Sequence, residues 1–122
     1  MRNRFLVAAL MAALVIFPAA HAAAQADSQT QGSDQKIKGL LAEGLDREMD
    51  KRYPEAIMVY RRALKLDPNQ PETLSKIGSC YERMGDLKNA LKFYQQALQL
   101  KQDLPQARAY IEAHAPNAQA TP

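Results

Sequence analysis

The sequence lacks most of the side chains from which a reactive site could be built. It has no tryptophan, one cysteine and two histidines in 122 residues. A single cysteine excludes an intramolecular disulfide in any compartment. His114 has no cysteine or second histidine near it in the sequence, which argues against a zinc site with three or four such ligands. We therefore expect neither a bound metal nor a cofactor.

The sequence motifs of common catalytic sites are also missing. It contains no glycine-rich phosphate loop, no Gly-x-Ser-x-Gly elbow and no His-Glu-x-x-His pair. Cys80 lies between Gly78 and Tyr81 in a pattern of helical period, which is typical of a small buried hydrophobe rather than of a nucleophile. The sequence therefore argues against an enzyme.

The one long apolar run lies at the start of the chain. Two arginines precede apolar residues 5–17, and small residues follow from Pro18 to Ala24. This order predicts a secretory signal peptide over residues 1–22, with cleavage after Ala22 or Ala24. The alternative is an uncleaved anchor, but a membrane span needs about 20 apolar residues. We expect export, most simply to a bacterial periplasm, and no stable membrane insertion after cleavage.

Neither sign of charge is in large excess. The chain has 16 Lys and Arg against 13 Asp and Glu, and the predicted signal peptide removes two arginines and no acid, which leaves 14 against 13. A protein that binds nucleic acid carries a clustered basic face. The nearest candidate, Arg61, Arg62 and Lys65, is better explained as the solvated outer face of a helix. We expect no nucleic-acid partner.

Two apolar patterns of helical period occupy the segment from Pro71 to Leu100. Gly85 suits the end of the first helix, where a residue at positive φ costs least without a Cβ, and Asp86 suits the N-cap of the second. The segment is therefore predicted to form a helical hairpin. One such hairpin cannot bury its own apolar face, so it needs a neighbour.

The same pattern occurs 34 residues upstream, where Gly44, Tyr60 and Leu66 correspond to Gly78, Tyr94 and Leu100. A period of this length is typical of helix-turn-helix repeat arrays. In these positions the chain resembles the tetratricopeptide repeat family, over residues 37–104. The resemblance rests on Leu40, Gly44, Tyr53, Ala56, Tyr60, Ala63 and the turn at 66–69 in the first copy, and on Leu74, Ile77, Gly78, Tyr81, Gly85, Asp86, Ala90, Tyr94 and Ala97 in the second. The departures are Glu43 and Arg47 in place of apolar residues, Lys51 in place of glycine, and Gln102 in place of proline.

The resemblance implies an all-α fold of antiparallel helix-turn-helix repeats, an α-solenoid of about five helices. Ser33 is the expected N-cap of the first helix, and Pro54, Pro71 and Pro105 each stand in the first turn of a later one. The expected organisation is a flexible leader at 23–34, repeats at 37–70 and 71–104, a capping helix at 105–114 and a disordered tail at 115–122.

In this family the first helix of each repeat lines a concave groove, so the resemblance implies that the chain binds a protein or peptide there. Leu41, Leu45 and Met49 would form an apolar stripe in that groove, unless neighbouring side chains cover it. The alternative is a structural subunit that self-associates or docks into a larger envelope assembly, of the secretion, pilus or cytochrome maturation type. The basic and asparagine residues with which some members hold a C-terminal carboxylate are not visible here. The implied groove residues are Lys38, Leu41, Leu45, Glu48 and Met49 in the first repeat and Glu72, Ser75, Ser79, Glu82 and Arg83 in the second.

Overall fold

The computed structural model describes residues 19–115, and it confirms the all-α prediction for that part of the chain. No strand occurs between these residues. The chain divides into two compact units at Ser33, and the repeats lie in the second unit. The five helices are α1 (Ala19–Met49), α2 (Tyr53–Leu66), α3 (Pro71–Arg83), α4 (Leu87–Leu100) and α5 (Pro105–His114).

Helix α1 begins earlier than the sequence predicted. It already includes Ala19, the first residue that the structure describes, so residues 23–34, expected to be a flexible leader, are helical. The segment from Ala19 to Ala26 is mostly alanine, the residue with the highest helix propensity. Ser33 lies inside the helix instead of capping it, and its hydroxyl donates to the carbonyl oxygen of Thr30 at 2.7 Å.

Most of the predicted signal peptide lies outside the described residues, and its cleavage stays a prediction. The predicted tail, apart from Ala115, lies outside them as well. Within residues 19–115, no helix is both long and apolar enough to cross a membrane.

The two hairpins pack through the same contact between a glycine and a tyrosine. Gly44 of α1 lies against Tyr60 of α2, and a Cβ at position 44 would lie 2.7 Å from Tyr60 Cδ1. Gly78 of α3 lies against Tyr94 of α4, and a Cβ there would lie 3.0 Å from Tyr94 Cδ1. Both tyrosines are fully buried. The small residue in each pair therefore lets the bulky ring fill the space between the two helices.

The core runs along the array as a series of connected clusters. Leu40, Val59 and Ala63 join α1 to α2. The next cluster joins α2 to α3, and the last joins α4 to α5. The cluster between α2 and α3 consists of Ala56, Ile57, Tyr60, Ile77 and Cys80. The cluster between α4 and α5 consists of Ala90, Tyr94, Ala107 and Tyr110.

Helix α5 packs against the second hairpin. Ala107 is fully buried and Ile111 packs against the same cluster. Gln106, Arg108 and Glu112 are exposed. The helix therefore covers the apolar end of α4 with one face and presents polar side chains on the other.

The turns within the two hairpins differ at the residue that takes a positive φ. Gly85 ends the turn after α3 with φ of 78°, as expected for glycine, and Asp86 accepts a hydrogen bond from the backbone N–H of Asn89 at 3.1 Å. Lys51 takes the equivalent position after α1 with φ of 60°. A side chain is disfavoured in this left-handed region. The first turn is therefore strained where the second is not.

The polar residues of α1 that depart from the family pattern form ion pairs. Glu43 lies 3.6 Å from Arg47 and 3.9 Å from Arg62 of α2, and Arg47 lies 4.0 Å from Glu55. Glu55 also pairs with Arg52. All of these side chains are partly exposed, so each pair contributes little to stability. The pairs bridge α1 and α2 at positions where the family usually packs apolar residues.

Candidate functional site

Two adjacent clefts lie along the first helices of the repeats. The central cleft has a volume of about 320 Å³. It is lined by the small side chains of Ser75 and Ser79 of α3, by Leu104, and by Pro105 at the start of α5. The turn-edge cleft, of about 240 Å³, lies near the turn after α1. Glu48 lines both clefts, and we call the two together the groove. The other residues lining the central cleft are Glu72, Lys76 and Gln106, and those lining the turn-edge cleft are Leu45, Met49, Lys51, Tyr53 and Arg83.

Most of the residues that the sequence assigned to the groove lie in it. Those that line a cleft are Leu45, Glu48, Met49, Glu72, Ser75, Ser79 and Arg83. Glu82 is exposed on α3 but lines neither of these clefts. Lys38 is exposed near the start of the repeat and also lines neither.

Leu41 is less exposed than the other two residues of the predicted apolar stripe. It is half-buried and packs against the core clusters that contain Tyr60 and Leu40. Its neighbour Leu40 is buried, and a 3.6-residue period places adjacent positions at the edge of the same face. Among the large apolar side chains of α1 at residues 29–49, Leu45 is 43% exposed and Met49 is 73% exposed.

Two glutamates are held in place by the buried tyrosines. The hydroxyl of Tyr60 donates to Glu48 Oε2 at 3.0 Å, and that of Tyr94 donates to Glu82 Oε2 at 2.8 Å. Burial, and then the bond to the glutamate, raises the pKa of both tyrosines far above the ordinary value for a phenol. Each hydroxyl therefore remains a donor at any physiological pH, and each carboxylate has a fixed position beside the groove.

Glu72, at one end of the central cleft, pairs with Lys101 from the end of α4 at 2.6 Å. The bond lowers the pKa of the Glu72 carboxyl and raises the pKa of the Lys101 amine. Both groups are exposed, so solvent and salt screen this pair. The negative charge of Glu72 therefore already has a partner within the chain.

Cys80 is not part of the groove surface. It is fully buried, and burial raises the pKa of its thiol to about 12. A thiol that remains protonated at neutral pH is a poor nucleophile and a poor metal ligand. Within residues 19–115 there is no group of three or more His, Cys, Asp or Glu placed to hold a metal ion.

Sequence reasoning missed some residues that line the groove. Lys51 and Tyr53 belong to the turn after α1 and the start of α2, and Leu104 to Gln106 come from the approach to α5. The resemblance points to the first helices of repeats 1 and 2 and so passes over these residues. The presence of lysine where the family has glycine was the one signal that could have identified Lys51.

A third cleft, of about 380 Å³, lies between α4 and α5 and shares no residue with the groove. Three glutamines line it together with Leu98 and Ile111. None of these residues was predicted to bind a partner. Its lining is mainly amide side chains and carries no charge.

Family models match the middle of the chain. The model described as TPR repeat matches residues 51–85, and the model described as Tetratricopeptide repeat matches residues 71–104. The chain therefore contains tetratricopeptide repeats, as the sequence predicted. The second match coincides with the predicted second repeat, and the first begins in the turn at Lys51.

Curated relatives share a similar stretch. The human Cell division cycle protein 16 homolog is 40% identical over 53 residues, which is 43% of this chain and 8% of that protein. The human Intraflagellar transport protein 70A is 38% identical over 61 residues, 50% of this chain and 9% of that protein. The match thus spans less than a tenth of either relative.

The solved structure of the first TPR of Spaghetti (RPAP3), bound to the HSP90 peptide SRMEEVD, has the same fold. It superposes with a TM-score of 0.62 at 24% identity, over 70% of this chain and 68% of that one. The likeness confirms the predicted helical repeat architecture.

Proposed function

We propose that this chain, which contains tetratricopeptide repeats over residues 51–104, is a protein-interaction module whose groove binds a peptide or a helix of another protein. The observation that carries the proposal is the exposure of Leu45 and Met49 on α1, beside the turn-edge cleft. Large apolar side chains next to a concave surface are typical of a partner site.

The energetics fit a partner of modest affinity. Fully covering an exposed Leu or Met side chain contributes about 1.5–3 kcal/mol. Met49, which is 73% exposed, would gain most of this, and Leu45, which is 43% exposed, less than half of it. Glu48 and the hydroxyls of Ser75 and Ser79 supply polar groups along the same groove. The peptide-bound solved structure with the same fold supports this use of a small repeat domain. No step in the proposal needs a catalytic group, so we propose an adaptor rather than an enzyme.

The test compares two exposed apolar residues on different helices. Random peptides would be selected by phage display on the chain, and the affinity of a selected peptide would be measured for Leu45→Asp and for Met58→Asp. Met58 is 64% exposed on α2 and lies outside both clefts, so it is a matched control. We expect Leu45→Asp to weaken binding at least about tenfold, because it places a charge in the apolar contact. Met58→Asp should leave the affinity unchanged.

Circular dichroism would establish that both variants keep their helices. Loss of helix in Leu45→Asp alone would mean that Leu45 belongs to the core and would remove the support for the proposal. Failure to select any peptide that competes at the groove would contradict it directly.

The exposed pair Leu45 and Met49 also favours a second candidate, a structural subunit that covers these side chains by self-association or by docking into a larger assembly. Sedimentation of the chain distinguishes the two functions. A monomer at micromolar concentration favours the adaptor, and a dimer that Leu45→Asp dissociates favours the subunit.

We also propose that the chain is exported to a bacterial periplasm and acts on envelope proteins, supported by the order of basic, apolar and small residues in 1–24. Mass spectrometry of the chain recovered from a periplasmic fraction tests this proposal. A mature N-terminus after Ala22 or Ala24 is expected, and an intact Met1 in the cytoplasm would contradict it.

A further inference from the structure

The turn-edge cleft combines an apolar lining with a cationic rim. Leu45, Met49 and Tyr53 supply apolar and aromatic surface. Lys51 and Arg83 line the same cleft from the turn after α1 and from the end of α3. A side chain that enters this cleft therefore meets apolar contacts and two positive charges.

These two cations have no partner within the described part of the chain. Neither the Lys51 amine nor the Arg83 guanidinium takes part in any of the side-chain hydrogen bonds or ion pairs found there, and both residues are exposed. The one acid in the cleft, Glu48, already accepts the hydroxyl of Tyr60. With two cations and one carboxylate, the cleft carries a net positive charge and is complementary to an additional carboxylate.

The backbone conformation of Lys51 is a second, independent indication that this residue has a functional role. Its φ of 60° lies in the left-handed region, where the equivalent position of the second hairpin has Gly85 with φ of 78°. Nothing lies within 4 Å of a Cβ built at Gly85. The equivalent turn therefore does not need a side chain at this position to fill space. Lysine at position 51 thus costs conformational free energy that glycine would avoid. Strained residues of this kind concentrate at functional sites.

We propose that the turn-edge cleft binds a large apolar side chain of the partner together with an aspartate or glutamate next to it in the partner's sequence, and that Lys51 and Arg83 bind that carboxylate. The proposal rests on the proposed function of the groove and adds the chemistry of its partner. Leu45 and Met49 contact the apolar side chain, and the two cations exclude a basic neighbour by repulsion. The partner segment is therefore apolar and acidic rather than basic.

The carboxylate belongs to a side chain and not to a chain terminus. Terminal carboxylates are typically captured by several fixed backbone donors. The Lys51 and Arg83 side chains are long and exposed, and neither takes part in the hydrogen bonds or ion pairs found in the described part of the chain. Two flexible cations suit an acidic residue within a continuous segment.

The probes are three pools of amidated peptides, each with a central leucine and randomised outer positions. The residue on both sides of the leucine is Glu in the first pool, Gln in the second and Lys in the third. Fluorescence anisotropy would give the apparent affinity of each pool. We expect the Glu pool to bind about tenfold more tightly than the Gln pool, as for a hydrogen bond to a charged group. The Lys pool should bind most weakly, and added salt should reduce the difference.

Lys51→Gly is the decisive variant because its two effects have opposite signs. It removes the strain, so the melting temperature should rise, and it removes a rim cation, so the advantage of the Glu pool should fall to about a third or less. Arg83→Gln should reduce the same advantage. Lys92→Gln, at an exposed position of α4 outside both clefts, is the matched control and should leave it unchanged.

The outcomes separate this inference from the function on which it rests. Equal affinities of all three pools would overturn the acidic preference while the groove still binds peptides. An equal loss for every pool in Lys51→Gly would overturn the role of its charge. An advantage seen only with free-acid peptides and absent from amidated ones would assign the site to a chain terminus and overturn the side-chain source. Failure of every pool to bind would contradict the groove function as well.

Discussion

At the scale of single residues, the contact between glycine and tyrosine does two things at once. The absence of a side chain at Gly44 and Gly78 lets a buried ring cross between paired helices. The hydroxyl at the far end of each ring then reaches a glutamate near the groove, Glu48 or Glu82. The residues that pack the hairpins therefore also fix the positions of charges beside the proposed partner site.

The two glycines should respond differently to alanine. A Cβ at position 44 would lie 2.7 Å from Tyr60 Cδ1, a distance that forces the ring or the helix to move, and one at position 78 would lie 3.0 Å from Tyr94 Cδ1. We expect Gly44→Ala to lower the free energy of unfolding by about 2 kcal/mol. Both substitutions gain about 1 kcal/mol in helix propensity, so the looser contact at position 78 should make the loss for Gly78→Ala the smaller one.

Urea unfolding of the two variants provides the measurement. Equal free energies of unfolding for Gly44→Ala and the unaltered chain would contradict the close packing of α1 on α2. A larger loss at position 78 than at position 44 would reverse the order that these distances predict.

At the scale of helices and turns, the boundaries follow closely from the sequence wherever a proline or a cap fixes them. Pro71 and Pro105 begin α3 and α5, and Asp86 caps α4. The start of α1 has no such signal, because its polar and alanine-rich residues suit both a leader and a helix. In the structure these residues are helical from Ala19, the first residue described. The sequence alone could not have chosen between a leader and a helix here.

The groove was predictable in the same way, where the family pattern applies. The family resemblance assigned Glu48 and Glu82 to the groove, and it assigned Leu45 and Met49 to the same surface of α1. It assigned Leu41 to the same surface, although tertiary packing against the α2 core half-buries it. It gave no indication of Lys51, because the contribution of that residue depends on the geometry of a strained turn.

Helix α5 should stabilise the array through one ring. Tyr110 is buried, and its ring centroid lies 4.9 Å from that of Tyr94. We expect Tyr110→Ala to lower the free energy of unfolding by about 3 kcal/mol, because it leaves a cavity over the end of α4. Glu112→Ala, at an exposed position of the same helix, should change it by less than about 0.5 kcal/mol.

Thermal unfolding of both variants tests this role. A melting temperature of Tyr110→Ala equal to that of Glu112→Ala would mean that α5 does not act as a cap. A broad transition in Tyr110→Ala alone would indicate that the second hairpin loses its cooperative packing without it.

At the scale of the whole molecule, the part of the array within residues 19–115 consists of two hairpins and α5. Repeat arrays gain stability from contacts between neighbouring units, and about three units are usually needed. Here two hairpins and α5 supply those contacts, and Leu45 and Met49 remain uncovered at the groove. A small domain with an uncovered apolar site gains stability when a partner binds, by mass action. Stability and partner binding are therefore linked in this account.

The most direct test of the central claim is site-specific photo-crosslinking in cells, with the reactive residue at Leu45 and a control at Lys92, which is exposed on α4. We expect an adduct with another protein from position 45 and none from position 92. An adduct at twice the mass of the mature chain would assign the site to self-association. An adduct from Lys92 and none from Leu45 would place the working surface on the opposite face and contradict the groove.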